Sequence, residues 1–317
     1  MKAKISTAVA LAGVLAASVA TTDATAAEAL LRLDDEMLDS ITAARQLNLG
    51  ALVINLGRDG NFGVNNTGTN NFGVGNTGSG NRGAFNQGED NSGAFNGLGS
   101  DATNAGNRNT GAFNGIGNTG TASGNDNRGA FTGNYNSGTG AGSNNNGSFT
   151  GNNNSGLAAG SSNNGSFTGN YNSGQGVGAV NRGSFSGNFN SGFDAGSENQ
   201  GNFSGNFNSA RLAGRENQGN FSGNFNSAES AGQINNGNFS GNFNSGETAG
   251  FGNQGNFSGN FNSAERAGLR NEGNFSGNFN SALRAGQNNE GDFSGNFNTE
   301  PFAAIDLIGN FRGNFNR

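Results

Sequence analysis

The chain has 317 residues, of which 60 are Gly and 27 are Phe, with no Cys, His or Trp and a formal net charge of −6. Without Cys there is no disulfide framework and no thiolate metal site, and without His there is no Ser-His-Asp or Cys-His arrangement. The acidic balance disfavours nucleic acid as a partner. We identify no catalytic, cofactor-binding or metal-binding constellation, and we expect that the protein is not an enzyme.

Residues 1–26 have the pattern of a secretory signal peptide. Lys2 and Lys4 form a basic start, residues 8–20 are an apolar run, and Ala24-Thr25-Ala26 gives a small-x-small cleavage pattern. The apolar run is too short for a committed membrane span, and no later segment reaches about 18 apolar residues. We therefore expect an exported bacterial protein, secreted or held at the cell surface, whose mature chain has no integral membrane segment.

Residues 27–60 are predicted to form an N-terminal helix followed by a cap or linker. Apolar residues at spacings of three and four between Leu30 and Ala44 give one apolar stripe and predict a helix over 27–46. Its polar side carries a dense acidic group, which lacks the oxygen-rich loop of a cation site and favours a solvated face. That group is Asp34, Asp35, Glu36 and Asp39.

Residues 61–98 repeat with a period of five. Asn recurs at every fifth position from Asn61 to Asn96, and Gly follows two residues later from Gly63 to Gly93. This Asn-x-Gly-x-x pattern resembles the glycine- and asparagine-rich class of pentapeptide repeats found in some mycobacterial surface proteins. The resemblance implies a coiled β-architecture for this segment.

Residues 91–317 repeat with a period of eighteen. Phe occupies every eighteenth position from Phe95 to Phe311, and from residue 131 onward a second aromatic follows four residues later in every repeat except at Asn153. A short unit that cannot bury its own apolar side must bury it on its copies. The period therefore predicts an all-β fold, a repetitive β-solenoid of about thirteen coils.

The alternation within one repeat predicts its two faces. Side chains alternate along a strand. A strand over 219–226 would therefore have one face formed by Phe221, Gly223 and Phe225, and an opposite face formed by Asn220, Ser222, Asn224 and Asn226. We expect a turn near Ser227 and a shorter second strand over 230–235. With both Phe buried, each coil would gain roughly 4–6 kcal/mol, so neighbouring coils must supply further stability.

Stacking these coils in register predicts two kinds of ladder, one of aromatic rings and one of amides. The predicted Phe ladder contains Phe203, Phe221, Phe239, Phe257, Phe275, Phe207, Phe225, Phe243, Phe261 and Phe279. The predicted Asn ladder contains Asn199, Asn217, Asn235, Asn253 and Asn271. Charged residues avoid the Phe columns, and we interpret them as a solvated edge.

The array resembles curlin-type functional amyloid subunits, which combine a signal peptide with Gly-, Asn- and Ser-rich repeats of similar length. The resemblance implies a secreted structural protein that assembles end to end into amyloid-like extracellular fibres, with a role in biofilm matrix or surface adhesion. Its partners would be further copies of itself and an export or nucleation partner.

Two other hypotheses remain open at this point. A solenoid that does not polymerise would bind polysaccharide or ice along its Asn/Ser face. A low-complexity chain of this composition would instead stay disordered, although an unbroken 18-residue register argues against disorder.

Overall fold

The structure is a computed structural model that describes residues 46–49, 51–100 and 104–317. Two compact units divide the chain between Asp90 and Asn91, and each is described by itself. The signal peptide, the acidic group and the helix expected over 27–46 lie outside the described residues, except for Gln46. That residue begins a strand rather than ending a helix.

The first unit opens with two antiparallel strands and continues as parallel ones. The second strand pairs antiparallel with the third, Ile54 facing Val64, and after that each strand pairs with the strand two further along the chain. Its strands are β1 Gln46–Leu49, β2 Leu52–Leu56, β3 Phe62–Val64, β4 Thr67–Thr69, β5 Phe72–Val74, β6 Thr77–Ser79, β7 Arg82–Ala84 and β8 Gln87–Glu89, with a 3-10 turn at Arg58–Gly60.

Each coil of the first unit contains ten residues, which are two pentapeptides. Strands β3, β5 and β7 form one side and β4, β6 and β8 the other, and the parallel register joins Phe62 to Phe72. The middle residue of each strand is a Gly. At Gly63 (φ 121°) an added Cβ would lie 1.9 Å from the carbonyl oxygen of Gly73, so a side chain there would prevent this close stacking.

The second unit stacks in parallel with a register of eighteen residues. Thr110 pairs with Ser92 and with Arg128, and further down the array isolated bridges keep the same spacing as far as Glu290 and Ile308. This confirms the predicted tandem repeat and a β-solenoid-like fold. Its strands are short: β9 Ser92–Ala94, β10 Thr110–Ala112, β11 Arg128–Ala130, β12 Ser173–Gln175 and β13 Ser191–Phe193.

The strands expected over 219–226 and 230–235 are wrong. Phe221, Gly223 and Phe225 have φ of 57°, 69° and 58°, and Ser230 and Ile234 repeat this conformation. A positive φ at every second residue is incompatible with an extended strand. Residues in the left-handed backbone conformation therefore alternate with other residues along the chain. Neighbouring coils are joined alternately by backbone and by side-chain hydrogen bonds.

Each eighteen-residue coil consists of two similar halves of nine residues. Gly223 and Gly232 adopt the same left-handed conformation nine residues apart, and Asn217 and Asn226 are buried at the same spacing. The sequence carries this signal, because Asn occupies every ninth position from 109 to 298 and Gly every ninth from 106 to 295. Our sequence analysis detected only the doubled period of eighteen.

The core of the second unit is polar and narrow. Most of its buried side chains are those of Asn, Ser, Thr and Ala, exemplified by Asn226, Ser222 and Ala231, which have no exposed surface. The rings of Phe221 and Phe225 point outward instead, with Phe225 37% exposed.

The expectation that both Phe of a coil are buried is therefore wrong. The predicted common face is correct for Ser222, Asn224 and Asn226, which are buried. It is wrong for Asn220, which is exposed, and Gly223 is buried instead of lying on the Phe face.

Candidate functional site

The predicted Asn ladder is present and lies inside the solenoid. The backbone N–H of Asn217 donates to Oδ1 of Asn199 at 2.9 Å, and its Nδ2 donates to the same oxygen at 3.1 Å. The same pair of bonds joins the remaining predicted members to one another down the column, at 2.9 Å and at 3.1–3.2 Å. Those members are Asn235, Asn253 and Asn271.

Asn is required in this column because its side chain completes the hydrogen bonding of the backbone. Each Oδ1 accepts the N–H of the equivalent residue in the next coil, a group that would otherwise be buried without a partner. Glycine makes room for the amide: a Cβ at Gly223 would lie 2.0 Å from Nδ2 of Asn217. Asn and Gly six residues apart therefore form one packing unit.

A hydroxyl column repeats this logic on the other side of the core. Ser204 Oγ donates to the carbonyl oxygen of Gly219 at 2.6 Å, and the N–H of Ser222 donates to Ser204 Oγ at 3.4 Å. These buried serines are thus structural hydrogen-bonding groups.

The first predicted Phe column forms a continuous stack of rings. From Phe203 to Phe275 successive ring centroids lie 4.8–4.9 Å apart, or 4.7 Å at one step, and the rings are parallel within 4°. The column continues in both directions, from Phe95 to Phe311, with its last step tilted by 35°.

The second predicted Phe column runs beside the first and is more exposed. Phe207, Phe225, Phe243, Phe261 and Phe279 stack at 4.7–4.8 Å, parallel within 3°. Parallel aromatic stacks contribute about 0.5–1.5 kcal/mol per pair beyond the area they bury. The two columns together form an exposed apolar stripe along the second unit, which we call the aromatic stripe.

Charged residues lie away from the aromatic stripe and pair between coils. Arg211 contacts Glu229 at 2.7 Å, eighteen residues on, and Arg215 contacts Glu198 at 2.5 Å. Burial acts to lower the pKa of the Arg215 guanidinium, but the hydrogen bond to Glu198 and the charges of Glu198, Glu216 and Asp194 together raise that pKa. Exposed pairs of this kind contribute about 0–1 kcal/mol each.

The C-terminal coil is open at its outer edge. Phe311 is 73% exposed and Ile308 70%. The N–H groups of Gly313 and Asn314, whose counterparts Gly295 and Asn296 donate to the following coil, have no acceptor among the described residues.

The segment from Glu300 to Leu307 continues the coil instead of capping it. The N–H of Phe302 donates to the carbonyl oxygen of Leu283, and that of Leu307 donates to Oδ1 of Asn289. Pro301 fits because it occupies a position whose N–H makes no bond between the described coils, as at Glu229.

Asn153 interrupts the second aromatic column. Tyr135 and Tyr171, the only two tyrosines of the chain, occupy the column one coil before and one coil after it. A cavity of about 180 Å³ lies here, and its lining includes both Tyr rings and Phe149 of the first column. No feature of the sequence analysis assigned a role to this missing ring.

In the part of the chain that the structure describes, no three His, Cys, Asp or Glu residues come together as a metal site. Across the same residues, no helix has the length and apolar character needed to span a bilayer. Comparison with known protein families, with curated proteins and with solved structures finds no match.

Proposed function

We propose that this chain is an exported structural protein that self-assembles into extracellular fibres of biofilm matrix or of an adhesive surface. The observation that supports this most strongly is that successive coils are joined by the same columns of groups, namely the Asn ladder, the backbone N–H groups and the stacked Phe rings. A coil of a second copy offers the same groups, so the same bonds can join one copy to the next. The partner is then another copy of the chain, started by an export or nucleation partner.

The aromatic stripe supports lateral association in addition. Soluble monomers rarely expose contiguous apolar patches larger than a few hundred Å². Here two Phe columns run side by side over many coils, with Phe225, Phe243 and Phe261 each more than one-third exposed. Packing the stripes of two rods together would remove this surface from water.

The alternative, a solenoid that does not polymerise and binds polysaccharide or ice along its Asn/Ser face, has less surface available. Most Asn and Ser of the repeat are buried, including Asn217, Ser222 and Asn226. Outward amide and hydroxyl columns are left for such binding. They consist of Asn202, Asn220, Asn238, Asn256 and Asn274, of Gln200, Gln218, Asn236 and Gln254, and of Ser209, Ser227, Ser245, Ser263 and Ser281.

Purified protein beginning at Ala27 would test the proposal, after dilution from denaturant, by electron microscopy and fibre diffraction. We expect unbranched filaments with a meridional reflection at about 4.7–4.8 Å. Monodisperse rods at all micromolar concentrations would contradict self-assembly and favour the alternative.

Two variants separate the modes of contact. Ile308→Glu with Phe311→Glu places charge on the open coil, and we expect it to prevent end-to-end growth while leaving the circular dichroism spectrum unchanged. Phe225→Ser, Phe243→Ser and Phe261→Ser together interrupt the aromatic stripe, and we expect single filaments that no longer bundle. Serine is suitable because Ser230 has the same φ of 58° as Phe225.

A further inference from the structure

The gap at Asn153 has the dimensions of one missing ring. Tyr171 and Phe189 stack at 5.0 Å in the same column, so Tyr135 and Tyr171, two coils apart, lie about 10 Å apart. Beside the gap, the first column spaces Phe131, Phe149 and Phe167 at 5.0 and 5.6 Å. An aromatic ring between the two tyrosines would therefore stack on both at the spacing of the rest of the ladder.

The volume of the gap agrees with this estimate. It measures about 180 Å³, and an engineered apolar cavity of about 150 Å³ is known to hold benzene. One monocyclic aromatic molecule fits, while a larger fused system would extend into solvent.

The floor of the gap is held rigidly. Nδ2 of Asn152 donates to the carbonyl oxygen of Phe131 at 2.8 Å, and Nδ2 of Asn170 donates to that of Phe149 at 2.8 Å. The backbone N–H of Asn153 donates to the carbonyl oxygen of Asn134 at 2.8 Å. These bonds fix the spacing of the coils, so the gap is already formed before a ligand enters.

The side chain of Asn153 supplies a polar group at the same place. It is exposed and makes no hydrogen bond within the described residues. Amides carry both a donor and an acceptor, and the Tyr135 and Tyr171 hydroxyls lie on the same exposed column. The gap thus combines two aromatic faces with several polar groups at its mouth.

We propose that this gap binds a small monocyclic aromatic molecule with a polar substituent, of the phenol type, sandwiched between Tyr135 and Tyr171. The ring restores the interrupted ladder, and the hydroxyl bonds to the Asn153 amide. This site is independent of the self-assembly proposed above, because it requires only that the coils around residue 153 are stacked.

The chain provides a specific probe, since Tyr135 and Tyr171 are its only tyrosines. Protein carrying ring-13C tyrosine, at a concentration where it is monomeric or in its Ile308→Glu/Phe311→Glu form, would be titrated with phenol and followed by NMR. We expect both tyrosine ring signals to shift together and to saturate. Cellobiose, a saccharide without an aromatic ring, should leave both signals unmoved.

Two substitutions of Asn153 provide the controls. Asn153→Phe fills the gap with the missing ring, and we expect it to weaken phenol binding by at least about tenfold. Asn153→Ser leaves the gap open but removes the amide that bonds to the hydroxyl, and we expect binding to weaken by about fivefold, less than in Asn153→Phe. Serine is compatible with this backbone, because Ser162 has φ of 58° and Asn153 has φ of 55°.

Several outcomes would overturn the proposal. These are no saturable shift with phenol, a shift of only one tyrosine, an equal shift in Asn153→Phe, or a response to cellobiose alone. Shifts that depend on protein concentration without phenol would show that a ring of a second copy fills the gap instead. Failure here leaves the fibre proposal standing, because filament formation is measured separately.

Discussion

The two units of the chain use the same bonds in coils of different length. In the first unit Asn71 donates its N–H to Oδ1 of Asn61 and its Nδ2 to the carbonyl oxygen of Gly78. In the second unit Asn271 does the same with Asn253 and Gly286. The N–H donor and its Oδ1 acceptor are ten residues apart in the first unit and eighteen in the second. The Nδ2 donor and its carbonyl acceptor are seven residues apart in the first unit and fifteen in the second. In both units the acceptor carbonyl lies three residues before the equivalent Asn of the next coil.

This comparison shows which part of the repeat determines the fold. The Asn side chain and its two bonds are common to both units, while the length of the coil and the aromatic stripe are not. Phe62 and Phe72 in the first unit are more than half exposed and are followed in their column by Arg82. The polar interior is therefore the general element, and the Phe ladder is an addition of the second unit.

The largest expected effect comes from adding a side chain at Gly142. Gly140 is the control, because it has the same backbone conformation but no close neighbour. Gly142 and Gly140 have φ of 65° and 64°, but a Cβ at Gly142 would lie 2.2 Å from Nδ2 of Asn136, while at Gly140 it would meet nothing within 4 Å. We expect Gly142→Ala to destabilise the array by about 3–5 kcal/mol and Gly140→Ala by about 1 kcal/mol.

Denaturant unfolding followed by circular dichroism would measure both variants. Equal losses would mean that the left-handed conformation alone requires Gly and that the Asn amide is not tightly packed.

The second expected effect concerns the buried amide. Asn235 has no exposed surface and its Oδ1 accepts two bonds from Asn253, whereas neighbouring Asn236 is exposed. We expect Asn235→Leu to cost about 2–4 kcal/mol, because it leaves the N–H and Nδ2 of Asn253 buried and unpaired. Asn236→Leu should cost less than about 0.5 kcal/mol. The denaturant midpoints of the two variants would measure the difference.

The same substitution in the first unit tests whether the two units are equivalent. Asn71 is fully buried, and its Oδ1 accepts the N–H of Asn81 at 3.0 Å. We expect Asn71→Leu to destabilise its own unit by a similar amount, about 2–4 kcal/mol. Hydrogen exchange of the amides in residues 61–90 would measure this loss of stability. An unchanged exchange rate there would show that the buried Asn does not stabilise the first unit as it does the second.

A smaller effect is expected from single rings. Phe243 stacks on Phe225 and Phe261 at 4.7 and 4.8 Å, whereas Phe72 stacks on no ring among the described residues. We expect Phe243→Ser to cost about 1–2 kcal/mol and Phe72→Ser less than about 0.5 kcal/mol. Thermal unfolding would compare them, and equal losses would show that stacking adds nothing measurable.

The smallest effect is expected from charge pairs. Arg211→Gln removes the exposed contact to Glu229 and should cost less than about 1 kcal/mol. The loss should shrink at about 1 M salt, where exposed charges are screened. A loss that does not change with salt would point to lost packing of Arg211 over the Phe193 ring, 5.9 Å away.

The sequence was sufficient to predict the stacking but not which face is inside. The period of eighteen and both ladders followed from fixed columns of Phe and Asn, since register is a property of spacing alone. The inside was assigned from the usual burial of Phe. That rule fails here because the interior is filled mostly by the amide, hydroxyl and methyl groups of Asn, Ser, Thr and Ala, and the Phe rings lie outside it.

Aligning the sequence with a period of nine residues would have shown that the Phe side chains face outward. It places Glu216 in register with Phe207 and Arg270 in register with Phe261. A column that holds Glu and Arg in one half of the coil must face water, and the equivalent Phe column then faces outward as well. The gap at Asn153, in contrast, has meaning only once the stacked rings around it are seen.

The hydrogen bonds of the second unit are all short in sequence. Every one described there joins residues no more than 21 positions apart, which is typical of folds dominated by local contacts. Loop closure is therefore a small and constant cost for each coil, and no distant segment has to arrive before a coil can form. The array can therefore fold progressively from one coil to the next. Once two coils have formed, each further eighteen residues add one coil to the stack.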